Sequence, residues 1–332
     1  MHMFFEMVSS VYNAASRIIK KNITEIQYSC LFISAIIVNK YVLTELAFRE
    51  PTVFQGWQTF TCVLLLSAMV KCQAVAEEVK MLDKRTFFLM LPGFIFFTVS
   101  IVAGSKGLAI LPVPVFCAVL SLNPAVLVLM DKKTDLSESS KQVCGSVTIC
   151  GTVVVLLVIT LNKLNTEAYL WLLGHVLLTI MYTLYMERIS LESNSISKIY
   201  FRNCFSIIVL LPVSVYLDVL YIPHGVSWKF YLGCILSGVL GTFLQMTTAK
   251  MEQKSSYMNC QGRAKLICSL IAHVVLFTNV EPMIWFLIVV NLLINSTLLS
   301  PDDERFQDRR PKLTLVLGPP ERDLNIERAV LV

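Results

Sequence analysis

Charge is scarce in this sequence. Its 332 residues include 28 lysines and arginines and 23 aspartates and glutamates, 15% charged in all, where a soluble chain carries roughly a quarter. An ordinary soluble domain is excluded. Histidine is rarer still, with four copies, and His175 and His273 each stand alone on an apolar face. A membrane-embedded enzyme or metal centre draws on clusters of His, Asp and Glu, so the chain reads as a non-enzyme without metal or cofactor. The ten cysteines contain no C-x-x-C pair and read as small apolar side chains, not as a disulfide or metal framework.

Apolar residues fill the space instead, at 55% of the chain with mean hydropathy +0.67. They come in blocks of about 20, the length a helix needs to cross a hydrocarbon core of about 30 Å. The blocks are 26–46, 52–74, 87–104, 113–130, 143–162, 167–186, 199–220, 229–249, 257–278 and 283–300. They predict an all-α membrane protein with ten transmembrane helices. Two sets of five, at 26–162 and 163–300, must enter the membrane from opposite sides, as in inverted-repeat transporters. Residues 1–25 read as an interfacial amphipathic helix and 301–332 as a disordered polar tail.

Basic residues set the orientation. With the N-terminus cytosolic, one side collects Arg17, Lys20, Lys21, Lys71, Lys80, Lys84, Arg85, Lys132, Lys133, Lys141, Arg188, Lys198, Lys250 and Lys254, besides those of the tail. The other side holds Arg49, Lys106, Lys163 and Lys229. The positive-inside rule then places both termini in the cytosol. This asymmetry accounts for the net charge of +5 without a nucleic-acid partner.

Four basic residues lie within the spans: Lys40, Arg202, Arg263 and Lys265. Acidic residues occur only at span ends, as at Glu45, Glu187 and Asp218. A basic side chain at a helix centre costs about 2.5–3.5 kcal/mol on insertion scales, and a cavity positive without internal acids suits an anionic solute. Lys265 is about 12 Å inside its span, too deep for easy escape, and Tyr257 lies two turns earlier. Lys40, about 9 Å from its helix end, is open to binding or to snorkelling, and Arg202 reads as snorkelling. Arg263 lies about 160° round the helix from Lys265. Asn39, Asn123, Asn203 and Gln261 can hydrogen-bond a base or sugar or simply join helices.

These residues carry a resemblance. NKYVL followed by F-x-x-PT-x-FQGWQT, residues 39–59, resembles the Asn-Lys first span of the nucleotide-sugar transporters in the drug/metabolite transporter superfamily. AGSKGLAILPVPVFCAVLSLNPAVLVLMDKK, residues 103–133, is similar to the third-to-fourth-span segment of the Golgi GDP-mannose transporters, with Val113, Pro114, Val115 and Phe116 matching a turn that opens the fourth helix. Phe201 and Asn203 match their Phe-Tyr-Asn-Asn motif, and Tyr257 and Lys265 match their late Tyr…Lys spacing. Arg202, Cys204, Gln261 and Ala264 depart from those patterns.

The resemblance implies a Golgi antiporter with both termini cytosolic. It would exchange a cytosolic nucleotide sugar, UDP-N-acetylglucosamine first and GDP-mannose next, for a luminal nucleoside monophosphate. Its implied substrate-binding residues are Asn39, Lys40, Asn123, Tyr200, Phe201, Asn203, Tyr257, Gln261, Gly262 and Lys265. FREPTVFQGWQTF is expected to help form a luminal gate. Membrane lipid is the surrounding partner, and a homodimer stays open. The alternative is an exchanger of organic phosphates or phosphoenolpyruvate of the triose-phosphate translocator type, which Arg263 beside Lys265 would serve.

Overall fold

The computed structural model describes residues 2–44, 46, 50–73, 79, 83–130, 140–161, 165–189, 195–221, 228–252, 254, 256–275 and 280–299, with side chains from Asn22 onward except 217–221. The tail 301–332, and the loop residues Phe48, Arg49, Lys80, Lys132, Lys133 and Lys163, lie outside that set. The elements are α1 (His2–Thr44), α2 (Pro51–Lys71), α3 (Lys84–Ile110), α4 (Val113–Val119), α5 (Leu122–Met130), α6 (Ser140–Leu161), α7 (Thr166–Arg188), α8 (Ser195–Tyr221), α9 (Trp228–Met251), α10 (Tyr257–Val275) and α11 (Pro282–Leu298). No strand occurs among the described residues.

Eight stretches are long and apolar enough to cross a membrane, with α4 and α5 counted together as Val113–Met130. Two of the ten predicted spans fall short by that measure. The helix α11 is apolar but has 17 residues. The helix α10 has 19 residues, but Asn259, Gln261, Arg263 and Lys265 make its first half polar. The outer surface is apolar, with Val158, Leu170, Ile208, Val274 and Phe286 each more than 65% exposed. A surface of that kind belongs in lipid.

Three boundaries differ from the sequence expectation, each for a local reason. The first helix runs unbroken for 43 residues, His2–Thr44, with neither Gly nor Pro before Thr44, so residues 2–21 are helically continuous with the apolar span that starts at Asn22. The PTVFQGWQTF stretch is helical from its first residue, with Pro51 at a position that needs no N–H donor. The fourth span is broken at Leu120–Ser121. Pro124 has no N–H to give the carbonyl of Leu120 four residues earlier, and its ring crowds that carbonyl.

Consecutive helices alternate in direction, as cross-helix contacts establish. At the end where the apolar span of α1 begins, near Asn22 and hereafter the near end, Glu25 bonds to Ser256 at 2.7 Å and Tyr185 donates to the Leu89 carbonyl at 2.8 Å. At the far end Ser237 donates to Asn39 at 2.6 Å, and Gly107 packs on Leu172. Helix α3 packs along α7 and α1 along α9; α2 lies against α8 and α9, and α6 against α5 and α11. Every residue of α4 is buried, and the main core forms round it from α1, α6, α7, α10 and α11. A second cluster, Val42, Leu43, Val53, Phe54, Phe230 and Cys234, fills the far end.

His175 and His273 join helices. His175 Nδ1 lies 2.8 Å from the Ser100 carbonyl, across a contact that Gly104 keeps clear: a Cβ there would fall 2.8 Å from that same nitrogen. The His273 ring stacks on Trp285 at 4.4 Å.

Candidate functional site: two cations within the bundle

Lys265 points from α10 into the bundle with 4% exposure. Its ammonium donates to the Leu120 carbonyl at 3.1 Å. Pro124 removes the N–H that would bond this carbonyl in a continuous helix, leaving it a long bond from the Asn123 N–H at 3.3 Å, so the buried lysine sits at the helix break. Lysine has three N–H donors, and no carboxylate among the described residues bonds to this one. Tyr257, Gln261 and Lys265 follow one another at four-residue spacing along one side of α10. Tyr257 meets Tyr28 of α1 edge to face at 5.9 Å.

Arg202 does not snorkel. Its guanidinium lies 4.1 Å from the ring centroid of Phe97 on α3. It donates to the Tyr182 hydroxyl of α7 at 2.6 Å and to Gln245 Oε1 of α9 at 2.8 Å. Asn203, fully buried, donates to the same Gln245 oxygen at 2.9 Å and to the Ile199 carbonyl at 2.7 Å. Asn203 Oδ1 is buried without a partner.

Glu252 connects the two clusters. It is solvent-exposed at the turn after α9, yet Arg202, Lys198 and Glu187 are within its electrostatic range. So are Tyr28 and Tyr257. This carboxylate at the near end is thus coupled electrostatically to residues of α1, α7, α8 and α10.

The other candidates are placed elsewhere. Lys40, half-buried, donates to the carbonyls of Leu108, Ala109 and Leu111 at 2.9, 3.1 and 3.1 Å. It caps the far end of α3, where Pro112 cannot supply an N–H to Leu108. Asn39 ties α1 to α9 through Ser237. Gly262 faces α11: a Cβ there would come within 2.5 Å of the Asn295 backbone carbon, so it serves helix packing. Tyr200 packs against the near-end cluster of Cys62, Leu66 and Ile199 and meets Phe201 edge to face at 5.5 Å. Asn123 stands just before the Pro124 break with its Oδ1 buried and unpartnered. Arg263 pairs with Glu25 at 2.7 Å, its side chain 51% exposed, and so is not available beside Lys265.

Sequence reasoning missed Phe97, Tyr182, Gln245 and Glu252, and misread Arg202. The signal at Arg202 was the charge itself, since a basic residue about two helical turns inside a span calls for a partner. Its partners are neutral residues on three other helices, which no local spacing reveals.

No protein-family model matches the chain. A solved crystal structure of a protein at 13% identity superposes with a TM-score of 0.55, over 82% of this chain and 97% of its own; the likeness concerns the fold alone. In sequence, the chain is 30% identical over 241 residues to the UDP-N-acetylglucosamine transporter TMEM241 homolog of Xenopus laevis, covering 69% of this chain and 78% of that protein. It is 28% identical over 244 residues to the UDP-N-acetylglucosamine transporter TMEM241 of Mus musculus, covering 70% and 80%. Both relatives are named as transporters rather than enzymes, in keeping with a membrane bundle of this shape. The chain belongs to the TMEM241 family of nucleotide-sugar transporters.

Proposed function

We propose that the protein is a Golgi antiporter that brings UDP-N-acetylglucosamine in from the cytosol in exchange for luminal UMP. The observation that carries this is Lys265, a buried ammonium whose hydrogen-bond partner among the described residues is a single carbonyl. Burying an unpaired cation costs several kcal/mol; a phosphate that enters and leaves explains why it persists. As a point charge, lysine accepts both a diphosphate and the monophosphate product. Tyr257 and Gln261, on the same side of α10, would contact the ribose or sugar, and Asn203 the base. The names of the two relatives support the choice of sugar and base.

The helix pairings support an inverted repeat of five spans each. Counting α4 and α5 as one, the first repeat is α1, α2, α3, α4/α5 and α6, and the second is α7 to α11. Exchanging the repeats turns the pair α1–α9 into α7–α3, α2–α9 into α8–α3, and α5–α6 into α10–α11; each of these is packed. The pairs α2–α8 and α6–α11 map onto themselves and are packed too. The α1–α3, α3–α4 and α4–α11 contacts break the pattern, because their counterparts α7–α9, α9–α10 and α10–α6 make no comparable packing among the described residues; Lys40 puts the first of them at the far end. A contact closed at the far end and open at its near-end equivalent is what one state of an alternating-access cycle requires. With the basic ends Lys71, Lys84, Lys141, Arg188 and Lys250 facing the cytosol, this is the cytosol-open state. Lys40, with Val53 and Phe54 from the PTVFQGWQTF stretch, seals the luminal end.

The test is exchange in liposomes. Reconstituted protein is preloaded with UMP or GMP and offered labelled UDP-N-acetylglucosamine, GDP-mannose or phosphoenolpyruvate. Uptake of UDP-N-acetylglucosamine is expected only over internal UMP. Equal uptake without an internal monophosphate rules out exchange, and uptake of phosphoenolpyruvate alone replaces the substrate class. The organic-phosphate reading loses its structural support, since Arg263 is turned outward onto Glu25.

A further inference from the structure

We propose that Arg202 is a second anion-binding residue within the bundle, a planar fork for the phosphate oxygens of the substrate, standing between α7 and α9. The proposal rests on the nucleotide-sugar reading above. An arginine that merely tied α7 to α9 would have no need of its charge. Here every hydrogen-bond partner of the guanidinium is neutral: the Tyr182 hydroxyl and the Gln245 amide oxygen. The rings of Phe97 and Tyr182 hold the group at 4.1 and 5.5 Å from their centroids. They fix its plane and contribute cation–π attraction but no counter-charge.

Two of the five N–H groups are engaged, and Nε is buried without a partner among the described residues. Glu252, after the end of α9, lies within electrostatic range but is not among the hydrogen-bond partners of Arg202. The guanidinium is therefore oriented before anything binds, retains free donors, and lacks a bound carboxylate. That combination suits a phosphate oxygen pair better than a sugar hydroxyl, because the fork matches two oxygens at once. Its position adds to the argument. Arg202 bridges α7 and α9 through Tyr182 and Gln245, two helices that pack little directly on each other among the described residues. Two cations of different shape, a fork and a point charge, fit the two phosphates of a nucleoside diphosphate moiety.

The full chain is purified and tested for binding of UDP, UMP and uridine, as wild type, Arg202→Gln and Arg202→Lys, with melting temperature recorded for each. Loss of a charge-assisted pair of hydrogen bonds is expected to weaken UDP about tenfold or more in R202Q while uridine is unchanged. R202K, which keeps the charge but not the fork, should fall between. Equal weakening of UDP and uridine makes Arg202 a structural brace and overturns the proposal, as does unchanged UDP affinity. Where R202Q fails to fold, the UDP-to-uridine ratio of R202K decides in the same way. Wild-type protein that binds no nucleotide overturns the nucleotide-sugar reading itself. Wild type that binds UDP, with R202Q binding it equally well, overturns only the role of Arg202.

Discussion

Lys40 and Lys265 both reach carbonyls whose partner four residues on is a proline, Leu108 before Pro112 and Leu120 before Pro124, the latter keeping one long bond from the Asn123 N–H at 3.3 Å. They do so at different depths of the bundle and with different completeness. Lys40 is half-buried and gives its three N–H groups to three carbonyls at the end of α3. Its charge is met by the negative end of a helix, and nothing is left over for a solute. Lys265 is more deeply buried, and one carbonyl is its hydrogen-bond partner. The same residue type at the same kind of break thus serves as a latch in one place and, on the proposed function, as a receptor in the other. What separates them is how many of their donors the protein itself satisfies.

The largest effect should come from removing the receptor. Lys265→Ala is expected to abolish nucleotide-sugar uptake while the protein stays folded, with a melting temperature at or above wild type, because a buried and under-solvated charge disappears. Uptake in liposomes together with thermal unfolding in detergent checks both halves. Surviving uptake with unchanged apparent affinity would move the anion site away from α10.

Removing the latch should give the converse. Lys40→Met leaves three carbonyls without their cation and is expected to destabilise the protein by about 3 kcal/mol, while nucleotide affinity at equilibrium changes little. Exchange slows or becomes leaky, since the far end closes through that contact. A thermal shift paired with a binding isotherm separates the two. If affinity fell as far as in the Lys265 variant, both lysines would be touching substrate and the contrast between them would collapse.

Much of this organisation was legible in the residues. The apolar blocks located the spans, because the bilayer imposes a length on them, and the depth of Lys265 marked it for binding. The break at Leu120 was also within reach, since Pro124 stands mid-span, yet a proline in a membrane helix bends some and interrupts others. What was hidden depends on neighbours far along the chain. Nothing near Arg202 announces Phe97, Tyr182 or Gln245, which meet it only after α3, α7 and α9 have packed. Nor does the sequence near Lys40 disclose that the end of α3, some 68 residues later, will take all of its donors. Gly262 looked like part of a binding motif and is instead where α10 presses on the backbone of α11. Spacing along one helix tells which side chains can share a face. It does not tell what that face will meet.

The finest test of the contrast leaves both lysines in place and changes only the break that holds one of them. Pro124→Ala supplies the missing N–H, so the Leu120 carbonyl can be satisfied within a continuous α4–α5 helix. Alanine is about 3 kcal/mol better than proline in a helix interior, so stability is expected to hold or rise. Lys265 then competes with a full helical N–H, in place of the long Asn123 bond, for the carbonyl that now fixes it, and its ammonium becomes less well placed. Nucleotide affinity should fall about fivefold, the equivalent of roughly 1 kcal/mol. Binding measured alongside unfolding would show affinity and stability moving in opposite directions, which general damage to the fold cannot produce. The matching change at the other end, Pro112→Ala, should leave affinity alone, because Lys40 retains two further carbonyls and meets no substrate. Equal losses from the two substitutions would mean that the breaks act by shaping the bundle as a whole, and that Lys265 is not aimed by Leu120 in particular.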